Sequence, residues 1–214
     1  SGIIGRPGSG VAPEAGIIAI QVFSRFASLE YCGSSQPCTL SFTSDQMAGL
    51  ERVYELRNAY SIASVNMSLG GEGYPDNCDM YYESMKEGID LLRAAGIATV
   101  IASGNNGYCG AISAPACISS AISVGATDDF DEVATFSNSA SFLSLLAPGS
   151  QIYSSIPWGD YTYMTGTSMA TPHVAGAWTL MKQANPDATV DEILSSFTST
   201  GLSITDQYCS SVTK

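Results

Sequence analysis

Ala98-Thr99-Val100-Ile101-Ala102-Ser103-Gly104-Asn105-Asn106-Gly107 runs five small or β-branched residues straight into a loop of Ser, Gly and Asn. A short, wholly apolar run bounded by turn residues is what a strand buried on both faces requires. Upstream, Met80 to Ala95 repeats its apolar residues at helical spacing and closes on Gly96, and Ser61 to Leu69 is again strand-like, closing on Gly70-Gly71. Before that, Met47, Leu50, Val53, Tyr54 and Leu56 predict a helix, with Thr43 and Gln46 spaced as a capping box. Residues 16 to 23, Gly-Ile-Ile-Ala-Ile-Gln-Val-Phe, read as an interior parallel strand.

Downstream, Ala121 to Ala126 predicts another buried strand, with shorter candidates at Phe142 to Leu146, Gln151 to Ser155 and Tyr161 to Met164. Ser168 to Gln183 is a helix apolar nearly all round, hence a core helix, and residues 190 to 198 form a last amphipathic one. Strands alternating with helices predict an α/β fold: a three-layer, mainly parallel sheet with helices on both faces. The 214 residues fit a single domain, 1–214, large enough to bury about 70% of the surface its unfolded chain exposes.

A net charge of -12 repels nucleic acid and anionic membranes, so neither is expected as a partner. No apolar run approaches the roughly 18 residues that span a bilayer. Six Cys, two pairs of them close in sequence, point to local disulfides Cys32–Cys38 and Cys109–Cys117 and to an oxidising, extracellular compartment. The pairing of Cys78 and Cys209 stays open. The lone His and the absence of C-x-x-C spacing leave no zinc site in prospect.

The segment Gly166-Thr167-Ser168-Met169-Ala170-Thr171-Pro172-His173-Val174-Ala175-Gly176 places a Ser at the head of the buried helix, where the positive end of the helix dipole favours developing negative charge. With Ser103 to Gly107 and Val65-Asn66-Met67-Ser68-Leu69-Gly70-Gly71, it closely resembles the subtilase family of serine proteases. The resemblance runs from residue 10 to about 199. It implies that Ser168 is the nucleophile, that the Asn105 amide stabilises the oxyanion, and that the strand ending at Gly70 pairs with an extended peptide substrate. Ser68, Leu69 and Gly70 on one side, and Ala102, Ser103 and Gly104 on the other, would wall the pocket for the residue preceding the scissile bond. Gly110 to Ala116 would approach its floor.

His173 follows Ser168 by five residues, about 140° around a shared helix, so its ring cannot face the hydroxyl; the resemblance makes it a buried structural His. An α/β hydrolase would need a later loop His, and none exists. The family's order is Asp, His, Ser, and this sequence opens just past the expected His, without the N-terminal strands. The chain alone is therefore expected to be inactive, and the uncovered edge at 16–23 to recruit either the missing segment or a second copy. No cofactor is required. Calcium is possible, but the position matching the carboxylate of one weak family site is Ser144; the acidic turn Asp128 to Glu132 is either solvated or a calcium site. A rival reading is a non-catalytic module that binds extended peptides without cutting them.

Overall fold

The computed structural model describes residues 2–6 and 9–209. Two short helices, α1 (Gly2–Gly5) and α2 (Leu29–Cys32), and a hairpin of β1 (Ser24–Phe26) with β2 (Cys38–Leu40) precede α3 (Thr43–Leu56). There follow β3 (Ser64–Met67), β4 (Gly73–Tyr74), α4 (Glu83–Ala94), β5 (Ala98–Ala102), β6 (Ile112–Ser113) and β7 (Ile122–Thr127). Last come β8 (Leu145–Pro148), the hairpin β9 (Ile152–Ser155) and β10 (Tyr161–Met164), α5 (Thr167–Ala184) and α6 (Val190–Thr200).

The central sheet is parallel throughout, in the order β3-β5-β7-β8, with Val65 opposite Thr99 and Val100 opposite Ile122. Because side chains alternate along a strand, β5 serves two cores at once. Ile101 joins Leu50 and Val53 of α3 and Met85, Ile89 and Leu92 of α4. Ala98 and Val100, with Ile122, Val124 and Ala126 of β7, pack on Ala170, Val174 and Trp178 of α5 and Ile193 of α6. This is the expected three-layer arrangement, helix over sheet over helix. Gly176 lets the segment at Val11 cross α5, since a Cβ there would lie 2.8 Å from the Val11 Cβ.

Residues 16–23 are not an interior strand. No described strand pairs with them, the sheet ends at β3, and Ile17, Ile18 and Phe23 are 46%, 45% and 39% exposed. The apolar run reports a strand built to be covered on both faces, and these residues supply cover on one side only, where Ile20 packs against the α3–α4 core. The Thr43 cap is also corrected: Phe42 is the N-cap of α3, its carbonyl accepting the N–H groups of Asp45 and Gln46, and Thr43 is already helical.

Cys32–Cys38 forms as expected, but Cys109 does not pair with Cys117. Cys117 is fully buried against Cys78 and bonded to it, while Cys109 joins Cys209, tying the C-terminal segment to the loop after Asn105. The intervening β6 is the reason. It pairs with β4 and draws residues 112–117 into the core, so Cys117 turns inward while Cys109 stays at the surface.

Candidate active site

The first turn of a helix has N–H groups with no carbonyl four residues back to receive them. At the head of α5 one of these, the Thr167 N–H, donates to Asn105 Oδ1 at 2.8 Å, and the Thr167 hydroxyl donates to the same oxygen at 2.8 Å. This double acceptance fixes the amide's orientation and leaves Asn105 Nδ2 as the group that can donate to a ligand. Ser168 follows, half-buried, in the second position of the helix and in the positive end of its dipole.

The Ser168 backbone is held from β3's side of the cleft. Pro172 has no N–H, so the Ser168 carbonyl four residues back has no intrahelical donor. That carbonyl instead accepts the Ser68 hydroxyl at 2.8 Å, and Ser68 Oγ in turn accepts Asn66 Nδ2 at 3.0 Å. Ser168 Oγ lies 3.4 Å from the Ser68 carbonyl, within a weak hydrogen bond that a stronger base can displace.

A cavity of about 270 Å³ opens between these two strand ends. Leu69, Gly70, Gly71, Ala102, Gly104, Asn105, Asn106, Ser113, Thr167 and Ser168 line it, and none of these carries a formal charge. Of the pocket residues read from sequence, Leu69, Gly70, Ala102 and Gly104 line it and Ser68 contacts Ser168 directly. Ser103 faces away, fully buried, its hydroxyl donating to the Asn138 carbonyl. Gly104 adopts φ +107°, and its backbone passes so close to Ser113 and Asn138 that a Cβ would collide with both.

Three residues of this site went unmarked in the sequence reading of individual roles: Thr167, Ser113 and Asn138. Asn138 is fully buried and stitches the loop together. Its Oδ1 accepts the N–H groups of Asn106 (2.9 Å) and Tyr108 (3.1 Å), and its Nδ2 donates to the Ser103 carbonyl (3.0 Å) and to Ser113 Oγ (3.1 Å). Only its position between the motifs, in the run Phe136-Ser137-Asn138-Ser139, could have drawn notice.

His173 lies apart from this cleft. Its Nδ1 sits 2.8 Å from the Met169 carbonyl, and burial holds the imidazole below the ordinary histidine range. It lines a separate small cavity with Arg6, Tyr153 and Ser154.

The calcium expectation finds no carboxylate at the matched position. Ser144 exchanges hydrogen bonds with Ser123, its N–H donating to the Ser123 hydroxyl at 2.9 Å. In the acidic turn, Asp128 caps the N–H groups of Phe130 and Glu132, and Glu132 accepts Gln207 Nε2. Among the described residues no three His, Cys, Asp or Glu side chains are grouped to hold a metal ion.

The model of the subtilase family matches residues 1–206. The chain belongs to the subtilase family. It is 34% identical over 202 residues to subtilisin DY of Bacillus licheniformis, covering 93% of this chain and 65% of that protein. To subtilisin Savinase of Lederbergia lenta it is 36% identical over 177 residues, 83% of this chain and 57% of that one. Among solved structures, that of a cold adapted subtilisin-like serine proteinase superposes with a TM-score of 0.73 at 33% identity, over 92% of this chain and 64% of that one. This subtilase chain thus spans under two thirds of the length of each of these relatives.

Proposed function

We propose that this chain carries the nucleophile and oxyanion half of a serine endopeptidase of the subtilisin type. One observation carries the reading: Ser168 stands at the head of α5 and lines the same cavity as an Asn105 amide whose orientation Thr167 fixes. In the proposed reaction the Ser168 hydroxyl oxygen attacks the peptide carbonyl carbon and its proton passes to a base. The carbonyl oxygen, now negative, is met by Asn105 Nδ2 and by the N–H of Ser168 in the helix's first turn. Collapse expels the amine, which takes the proton back, and leaves an acyl-enzyme for water to hydrolyse.

His173 is not that base, because it lines a separate cavity with Arg6 and Tyr153 and is not among the residues around Ser168. The base and its orienting carboxylate come from an Asp- and His-bearing segment outside these 214 residues, and without it the chain is inactive. Two features support a docking edge for such a segment: residues 16–23 are largely exposed and unpaired among the described strands, and Asn66 Oδ1 is buried with no described partner. The substrate is an extended peptide or protein laid along Ser68 to Gly70. Three disulfides support an extracellular setting. Among the described residues no helix is long and apolar enough to cross a membrane.

Hydrolysis of a fluorogenic peptide library tests this. Cleavage by the chain joined to the segment, none by either alone, and loss with Ser168→Ala supports it. Peptide binding without cleavage in the joined protein favours a non-catalytic binding module and overturns it.

A further inference from the structure

Ser113 sits where the two walls of the cavity meet. A Cβ on Gly70 would come 3.3 Å from the Ser113 Cβ, and one on Gly104 would come within 3.0 Å of that atom and collide with the Ser113 hydroxyl, so both glycine walls rest on this side chain. Ser113 is 1% exposed and lines the cavity between them.

The direction of its hydrogen bond follows from Asn138. The Asn138 oxygen is occupied by the N–H groups of Asn106 and Tyr108, so the atom 3.1 Å from Ser113 Oγ is the amide nitrogen, which can only donate. Ser113 Oγ therefore accepts, and its own proton has no acceptor among the described residues. A buried hydroxyl proton at the lining of a cavity is a donor awaiting a ligand, and an apolar side chain that expels water from it leaves it unpaired.

We infer that Ser113 makes this cavity select an uncharged side chain with a terminal hydrogen-bond acceptor, glutamine foremost, in the residue preceding the scissile bond. The inference rests on the proposed protease reading of the same site. Leu69 and Ala102 flank the methylene stem, and the terminal carbonyl oxygen accepts the Ser113 proton. A charged side chain fares worse, because no lining residue carries a countercharge and burial of an unpaired charge is costly.

The test compares peptides identical except for Gln, Met or Glu before the scissile bond, in the full-length protein. Two quantities are read: kcat/KM for cleavage, and Kd for binding to the Ser168→Ala form by fluorescence anisotropy. Gln is expected to exceed Met, its near-isostere without the carbonyl, roughly ten- to hundredfold in both, with Glu below Gln. Ser113→Ala is expected to bring Gln and Met to within about twofold; if that variant does not fold, the wild-type comparison still decides. Equal cleavage of Gln and Met overturns the inference and leaves the protease reading standing. A Gln preference in binding with no cleavage of any peptide upholds the cavity's selectivity for glutamine and overturns the protease reading. Equal binding, or none, with no cleavage overturns both.

Discussion

Asn105 Oδ1 accepts two hydrogen bonds from a single residue, the N–H and the hydroxyl of Thr167, each at 2.8 Å. The residue that aims the amide is therefore the immediate neighbour of the proposed nucleophile, so the orientation of one is tied to the position of the other.

In the complete enzyme, Asn105→Ala is expected to lower kcat by roughly a hundred- to a thousandfold with KM little changed, since the amide acts on charge that exists only in the transition state. Thr167→Val keeps the backbone donor to Asn105 and loses the hydroxyl one, together with the acceptor of the Gly104 N–H, so its loss is smaller, about tenfold, and again in kcat. Steady-state kinetics of both variants check this; a loss confined to KM would mean that Asn105 binds substrate and transition state alike.

The sole His sets a pH dependence of stability. Burial lowers the folded-state pKa of His173 from the model-peptide value of 6.5, so the unfolded chain binds the proton more tightly. Its contribution is complete above about pH 6.5, is lost as pH falls from there through the folded-state pKa, and is constant below it. Thermal melts between pH 7.5 and 5 should therefore show a steeper fall of Tm in the wild type than in His173→Asn. Parallel curves would contradict the assignment.

The three disulfides close loops of very different length, with sequence separations of 6, 39 and 100. Loop-closure entropy alone ranks their removal at about 2, 4 and 5 kcal/mol. Replacing Cys78 and Cys117 by Ser also places polar hydroxyls at two fully buried positions, which moves this pair above its entropic rank. Paired Ser substitutions followed by denaturant titration test the order, and a non-reducing peptide map tests the pairing itself.

Trp178 is fully buried in the α5–α6 side of the core, and its ring meets Phe197 edge-on at 5.5 Å. Trp178→Ala is expected to cost about 3–5 kcal/mol through the cavity it leaves. Trp178→Phe is expected to cost much less, because the indole N–H has no described partner to lose. Chemical denaturation of both variants checks the difference.

Much of this was legible in residue pattern. The continuous apolar runs at Ala98–Ala102 and near Ile122–Thr127 announced central parallel strands, and the all-round apolar character of α5 announced a helix sandwiched in the core. Tyr161–Met164 was located to the residue. The run at 16–23 misled for a physical reason: its apolarity encodes cover that the described residues do not provide. Cys117 misled because proximity in sequence outweighed burial, which β6 imposes through its pairing with β4. The capping box was sought at Thr43, but it sits at Thr189 and Glu192, where the same spacing precedes α6. Around the cavity, Ser168 and Asn105 were singled out by motif, while Asn138 and Ser113 act through buried contacts that no local spacing records.

The most direct measurement is fluorophosphonate labelling of this chain, with and without a segment bearing the family's Asp and His motifs, read by intact mass and peptide mapping. A single adduct on Ser168 that appears only when the segment is present is expected. No adduct in either case, or an adduct on any other residue, would contradict the claim that Ser168 is the nucleophile of a complementable protease.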